Sequence, residues 1–371
     1  MANATRGWAV LFVMGSAVAC GAQEPVGESS QALGVADERL TPSNLPADTC
    51  DAPGTKDLID ATGTVDTDTG CDAVIVQGDG APDICVYKYR TVTLSGGGLR
   101  GVGSRALAIV ATDTMTIGGF LDVGAHATVK GPGASDPRGF PLFSDADAPG
   151  GSYGTPGGLG ALGSAQPAPP YGNDTAVPLL AGASGGPGYV DPSQYPSLPG
   201  EGGGALQLVS CTSLVVTSTG VIASGGGGAA RTVFHGAGGG SGGTILLEAP
   251  SVVVDGILGA NGGGGGGGEC PRDPSPPQDA HGYDGTPTAG GWGGALNFLG
   301  GGIGGNGGSE ASPPEPGQPG MTRPGGNKCG NSGGGGAAGR VRINVQAGTQ
   351  PALSGAKSLS PAPSIGAIAT H

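Results

Sequence analysis

The sequence is poor in charge and in aromatic rings. Charged residues make up 12% of its 371 positions and aromatics 4%. The first shortage argues against the charge-rich composition of a disordered tail, and the second against a core built on large rings. Lysine and arginine form no cluster and the formal net charge is −13. That balance disfavours nucleic acid or an anionic membrane surface as a partner, and read plainly it serves solubility. Helical periodicity appears nowhere at useful length, no two cysteines are spaced CxxC, and HExxH is absent, which leaves zinc without a ligand pattern. Glycine is abundant instead. There are 83 glycines and 32 prolines, nearly a third of the chain, without the G-X-Y period of collagen.

The longest apolar run is short and stands at the start. Arg6 closes a small n-region, and Trp8–Ala19 is too brief to span a bilayer. It ends in Ala17-Val18-Ala19-Cys20, which resembles the bacterial lipobox, although that family prefers Leu where Ala17 stands. The resemblance implies a signal peptide over 1–19, lipidation of Cys20 and insertion of the acyl chains into a lipid bilayer. With Gly21 rather than Asp after the cysteine, it also implies an outer-membrane or cell-surface address. Cleavage by ordinary signal peptidase, giving a soluble secreted protein, is the alternative. Residues 20–49 then read as the lipidated N-terminus and a flexible, acidic tether. Six cysteines remain: Cys50, Cys71, Cys85, Cys211, Cys270 and Cys329. An even number in an exported chain reads as three disulfides, and Cys270 with Cys329, both bordering glycine-rich text, is the first pairing expected.

The apolar residues repeat between the glycines. Ile84, Val86, Val92, Leu94 and Leu99 are each followed about 23 residues on by Leu107, Ile109, Met115, Ile117 and Leu121. Leu206, Leu208, Leu214, Val216 and Ile222 make a third copy, and Ile245, Leu247, Val252, Val254 and Leu258 a fourth. Val341, Ile343 and Val345 begin a fifth. Period-2 alternation in short runs with glycine at the last turn predicts three strands per copy. The expected fold is all-β: a parallel β-helix or β-solenoid of about five irregular coils over 84–345, with long glycine-rich inserts on one side at 130–203, 228–242 and 267–337. Residues 50–83 would cap it and 346–371 form a tail. A β-sandwich is disfavoured, because hairpin dipeptides between paired strands are missing. Seven consecutive glycines, Gly262–Gly268, raise a separate question. Fixing them costs on the order of 10 kcal/mol with no side chain to bury, so the segment is expected to stay mobile. The alternative is extended polyglycine II helices bonded backbone to backbone, an arrangement resembling the glycine layers of some phage tail-tip adhesins and antifreeze proteins.

Site signals are sparse. Ser184 and Ser241 sit in GxSxG, but glycine is so frequent that chance accounts for both, and no helix follows to build a nucleophile elbow. Asp66, Asp68 and Asp72 resemble the start of a DxDxDG calcium loop, so Ca2+ is the one cofactor with any signal. The third carboxylate and the bidentate Glu of that loop are missing, and a turn is the expected reading. His126, His235, His281 and His371 read as surface histidines. Of the aromatics in the inserts (Phe140, Phe143, Tyr153, Tyr171, Tyr189, Tyr195, Phe234, Tyr283, Trp292 and Phe298), most are expected to pin loops to the body. Tyr283 and Trp292 are the ones expected to face a ligand.

Taken over 84–345, the coil pattern resembles the glycine-rich, filamentous-haemagglutinin-like and pectin-lyase-like surface proteins of Gram-negative bacteria. The resemblance transfers no site residues. It implies a surface-anchored, non-enzymatic structural or adhesive lipoprotein that meets glycan or extracellular matrix through its inserts. A polysaccharide-acting lyase or glycosidase is the alternative. Asp122 and Asp255 fall at different repeat positions, however, and make no carboxylate pair on the coils.

Overall fold

A computed structural model describes residues 39–134, 148–188, 197–229, 234–270, 281–294, 300–326 and 328–371. The apolar alternation does produce strands, which gather into three sheets. The largest has eight strands in the spatial order Leu40–Thr41, Ser364–Thr370, Arg340–Gln346, Thr244–Glu248, Ala205–Ser210, Ala106–Ala111, Ile84–Tyr89 and Ala73–Ile75. The second runs Ser358–Ser360, Ile257–Gly259, Val221–Ala223, Phe120–Asp122, Gly98–Val102 and Gly63–Asp66. The third is Ser251–Val254, Ser213–Val216, Thr114–Ile117, Val92–Leu94 and Leu58–Ile59. Neighbours are parallel except at the two edges of the large sheet, where Leu40–Thr41 and Ala73–Ile75 pair antiparallel.

Register puts like on like. Leu107 lies beside Leu206, which lies beside Ile245, which lies beside Val341. Together with Met115, Ile117, Leu121, Leu214 and Leu258 these residues form one continuous core. The intervening residues of the large sheet (Ala108, Val110, Val209, Leu246) face a second apolar cluster that includes Leu179 and Ala181. Both faces of that sheet are therefore covered. This explains why ALAIVA and TILLE read as continuous apolar runs and not as alternation. A polar cluster is buried there, centred on Glu248 with Gln207 and Asn344. The Glu248 carboxylate accepts hydrogen bonds from the Ser43 backbone (3.2 Å), Gln207 Nε2 (2.6 Å) and Asn344 Nδ2 (2.8 Å). The chain just before Leu45 is thereby tied to the middle of the large sheet.

The expected five-coil β-solenoid with inserts on one side is corrected. The strands partition into three separate sheets of eight, six and five strands, the largest closed by antiparallel pairs at both edges. The glycine-rich segments are not projections from coils; they form a packed body of their own. Nor is 346–371 a free tail, since Ser358–Ser360 and Ser364–Thr370 are strands of two of the sheets. The reason is backbone chemistry. Buried N–H and C=O groups must find partners, and glycine segments that leave a sheet carry no side chains to shield theirs.

Gly262–Gly268 shows the solution, and the expected mobility is corrected with it. These residues are buried, and their amides face three directions in turn. Gly262, Gly265 and Gly268 donate to the carbonyls of Gly308, Gly305 and Gly302. Gly263 and Gly266 donate to Gly240 and Ala237, and Gly264 donates to Tyr283. Their carbonyls accept from three further segments, through Gly291 and Gly294, through Gly336 and Gly333, and through Ala229. A repeat of three residues is that of the extended polyglycine helix, here ringed by six neighbours. Segment 236–243 repeats the rule: Gly236, Gly239 and Gly242 donate to Asn331, Gly334 and Ala337. The ladder is continuous with the large sheet, because Thr244 donates to Gly204 and Arg340 to Gly243.

Three disulfides close the structure: Cys50–Cys211, Cys71–Cys85 and Cys270–Cys329. They place the chain in an oxidising compartment. Among the described residues no helix is long and apolar enough to cross a membrane.

Three tests follow from this packing. A Cβ at Gly265 would overlap the Gly333 carbonyl oxygen, whereas one at exposed Gly78 meets nothing within 4 Å. Gly265→Ala should lower unfolding stability by about 1–3 kcal/mol, while Gly78→Ala stays within about 0.5 kcal/mol, both measured by chemical denaturation. Amides 262–268 should resist hydrogen exchange to the level of the core strands. Removing the Cys50–Cys211 bond, with its sequence separation of 161, should cost up to about 5 kcal/mol in the chain-entropy account. That loss would be read as a fall in melting temperature of the Cys50→Ala/Cys211→Ala protein.

Candidate binding surface

The glycine lattice ends at solvent along 281–294, and there it carries side chains. Gly282, Gly285 and Gly291 stand where a Cβ would meet the backbone of Gly264, Asn261 and Tyr283. The positions between them are free to bear bulk. Tyr283 is 56% exposed and Trp292 73% exposed. The Tyr283 N–H donates to the Trp292 carbonyl at 2.8 Å, and the Tyr283 carbonyl accepts from Gly264 at 2.9 Å. Two residues far apart in a flexible-looking text are thus backbone neighbours on the outer layer of the lattice.

Beside Tyr283 the surface is charged. Asp284 Oδ1 accepts from the amides of Ala127 and Gly228, both at 2.8 Å. Its Oδ2 lies 3.4 Å from His126 Nδ1. On the other side of the ring, His126 Nε2 is 2.7 Å from Asp122 Oδ2, and Asp122 Oδ1 accepts from the Gly124 amide at 2.8 Å. The hydrogen bond to Asp122, then that to Asp284, pushes the imidazole pKa up to about 9 against the opposing effect of burial. His126 is therefore a cation at neutral pH. Burial pushes Asp284 upward, but the bonds from His126, Ala127 and Gly228 together hold it below the usual carboxylate value. Asp122 belongs to a strand of the second sheet, so this Asp–His–Asp clamp fastens the aromatic layer to the sheets.

The other sequence-predicted residues sit apart from this surface. Cys20 lies outside the described residues, as do Phe140, Phe143, Tyr189, Tyr195 and Phe298. The structure does not bring Asp66, Asp68 and Asp72 to one point. Asp66 accepts from the Asp68 amide at 2.9 Å, Asp68 from the Ser104 amide at 2.9 Å, and Asp72 pairs with Lys56 at 3.0 Å. Among the described residues no group of three acidic, histidine or cysteine side chains is placed to hold a metal. Ser241 is buried in the lattice, where its hydroxyl accepts from the Ala183 amide at 2.8 Å, and Ser184 is bonded to Glu201. Tyr153 and Tyr171 do pin loops. Their rings meet edge to face at 4.8 Å, and their hydroxyls donate to the carbonyls of Leu180 and Ala181. His235 is half-buried and accepts from Asn331, burial holding its pKa down. His281 is exposed, and His371 bonds to Thr41.

Sequence reasoning missed the clamp. The spacing of Asp122 and His126 was visible, but their partner Asp284 is 157 residues beyond Ala127, whose amide it also binds. The clamp makes a pH prediction. A histidine whose folded pKa is raised contributes stability that is complete below the unfolded value and is lost as pH rises through the folded one. Stability should therefore fall between about pH 6.5 and about pH 9. The half-exposed ring is screened by solvent, so the loss should be on the order of 1 kcal/mol. Asp122→Asn should flatten that limb of the stability–pH curve and bring the His126 NMR titration midpoint down toward neutrality.

No family model, curated protein or solved structure matches this chain.

Proposed function

We propose that the protein is a surface-anchored, non-enzymatic adhesive lipoprotein, held in a bilayer by acyl chains on Cys20, whose glycine body presents Tyr283 and Trp292 to glycan or extracellular matrix. The observation that carries this reading is the pair of large exposed aromatics on a hydrogen-bonded backbone. Aromatic faces stack on the apolar faces of sugars and anchor protein partners. A platform already ordered before binding loses little entropy when the partner arrives. Oxidising surroundings, required by the three disulfides, are those of an exported protein.

A binding screen of the mature chain against glycans, polysaccharides and matrix proteins tests the reading, with Trp292 fluorescence as a local reporter, since Trp8 is the other tryptophan. A ligand should quench or shift that fluorescence, and Trp292→Ala should weaken its binding by about tenfold or more. Release of new reducing ends from any polysaccharide would favour the enzymatic alternative. Labelled palmitate should enter the protein, and Cys20→Ser should move it from the membrane to the soluble fraction.

A further inference from the structure

A cleft of about 450 Å3 opens between residues 154–157, 308–314 and 361–364, and neither Tyr283 nor Trp292 lines it. That volume lies in the range of small-molecule sites. Arg340 lines it with a guanidinium 5.9 Å from the Tyr153 ring centroid. The side chain is only 20% exposed, whereas its counter-ion Asp174, bonded through Nη1, is 77% exposed. The Nη2 contact, to the Gly172 carbonyl, is long at 3.5 Å. Nε is buried with no hydrogen-bond partner.

Arg340 is thus a fixed cation lining the cleft, paired through Nη1 to a carboxylate that water can reach. Arginine's planar fork is matched by a carboxylate taking two N–H groups at once, and Asp174 takes one. The rest of the lining combines the hydroxyls of Thr155, Ser309 and Ser312 with the apolar rings of Pro156, Pro313 and Pro314. Hydroxyls and apolar ring faces in one cleft suit a sugar. Glu310, the other acidic lining residue, is bonded to the Ala362 amide. The net charge of −13 repels polyanions at large, so an acidic ligand would be held only locally.

We propose that this cleft binds a uronic-acid sugar, with Arg340 holding the carboxylate and Asp174 acting as an internal competitor that the ligand displaces. Titration calorimetry on the mature chain tests it, using a glucuronate tetrasaccharide and the same tetrasaccharide with its carboxyls methyl-esterified. The acid form should bind at least about tenfold tighter than the ester. Asp174→Asn removes the competitor and should tighten binding several-fold, Arg340→Gln should abolish it, and Gly78→Ala, outside the cleft and open to solvent, should leave it unchanged. Asp174 is exposed enough for its variant to keep the fold, so the result stands even if Arg340→Gln unfolds. The proposal is overturned by absence of binding, by equal binding of acid and ester, or by an Asp174→Asn protein that binds no tighter. Binding of a carboxylate-terminated tetrapeptide in preference to the sugar would also overturn it.

Discussion

Every buried peptide group needs a hydrogen-bond partner, and this chain buries a great many that have no side chain beside them. The polyglycine lattice is the answer to that one constraint. With three residues per turn, an extended glycine helix offers its N–H and C=O groups to all sides, so a central segment such as Gly262–Gly268 bonds to six neighbours. A β-strand offers them to two. The lattice therefore orders the residues that lose most entropy on folding by pairing them in every direction. It tolerates no bulk at its contacts, which is why glycine is required there and not merely permitted.

The sheets and the lattice depend on each other. The large sheet hands its ladder directly to the glycine segments at Gly204, Gly243 and Gly339, so strand register also sets the register of the lattice. In return the stretch that leads into the lattice at Gly182 carries Ala176, Leu179 and Ala181, which share one apolar cluster with Val110, Val209 and Leu246 of that sheet. The Cys270–Cys329 disulfide stands at the end of the 262–268 glycine run, and the Asp122–His126–Asp284 clamp ties the 281–294 layer to the second sheet.

Such a lattice separates its interior from its rim. Where a segment faces its neighbours it is glycine with an occasional alanine or serine; where it faces solvent it bears larger side chains such as Tyr283 and Trp292. Tyr283 and Trp292 use that freedom, and so do Asp174 and the residues around Arg340 at another edge. Side chains at the rim can therefore change while the interior stays constant.

The alternation of Leu107, Ile109, Leu206, Leu208, Ile245 and Leu247 was enough to place the strands and predict which residues stack on which. Side-chain alternation is a local property, and burial enforces its register. The even cysteine count likewise pointed to disulfides without naming all partners. The arrangement into three sheets, the order within the glycine body and the meetings of Tyr283 with Trp292, Asp284 with His126 and Arg340 with Asp174 were decided only in three dimensions. A glycine carries no side chain by which one segment differs from the next, so its partners are chosen by the packing of the whole lattice and not by any pattern in the text.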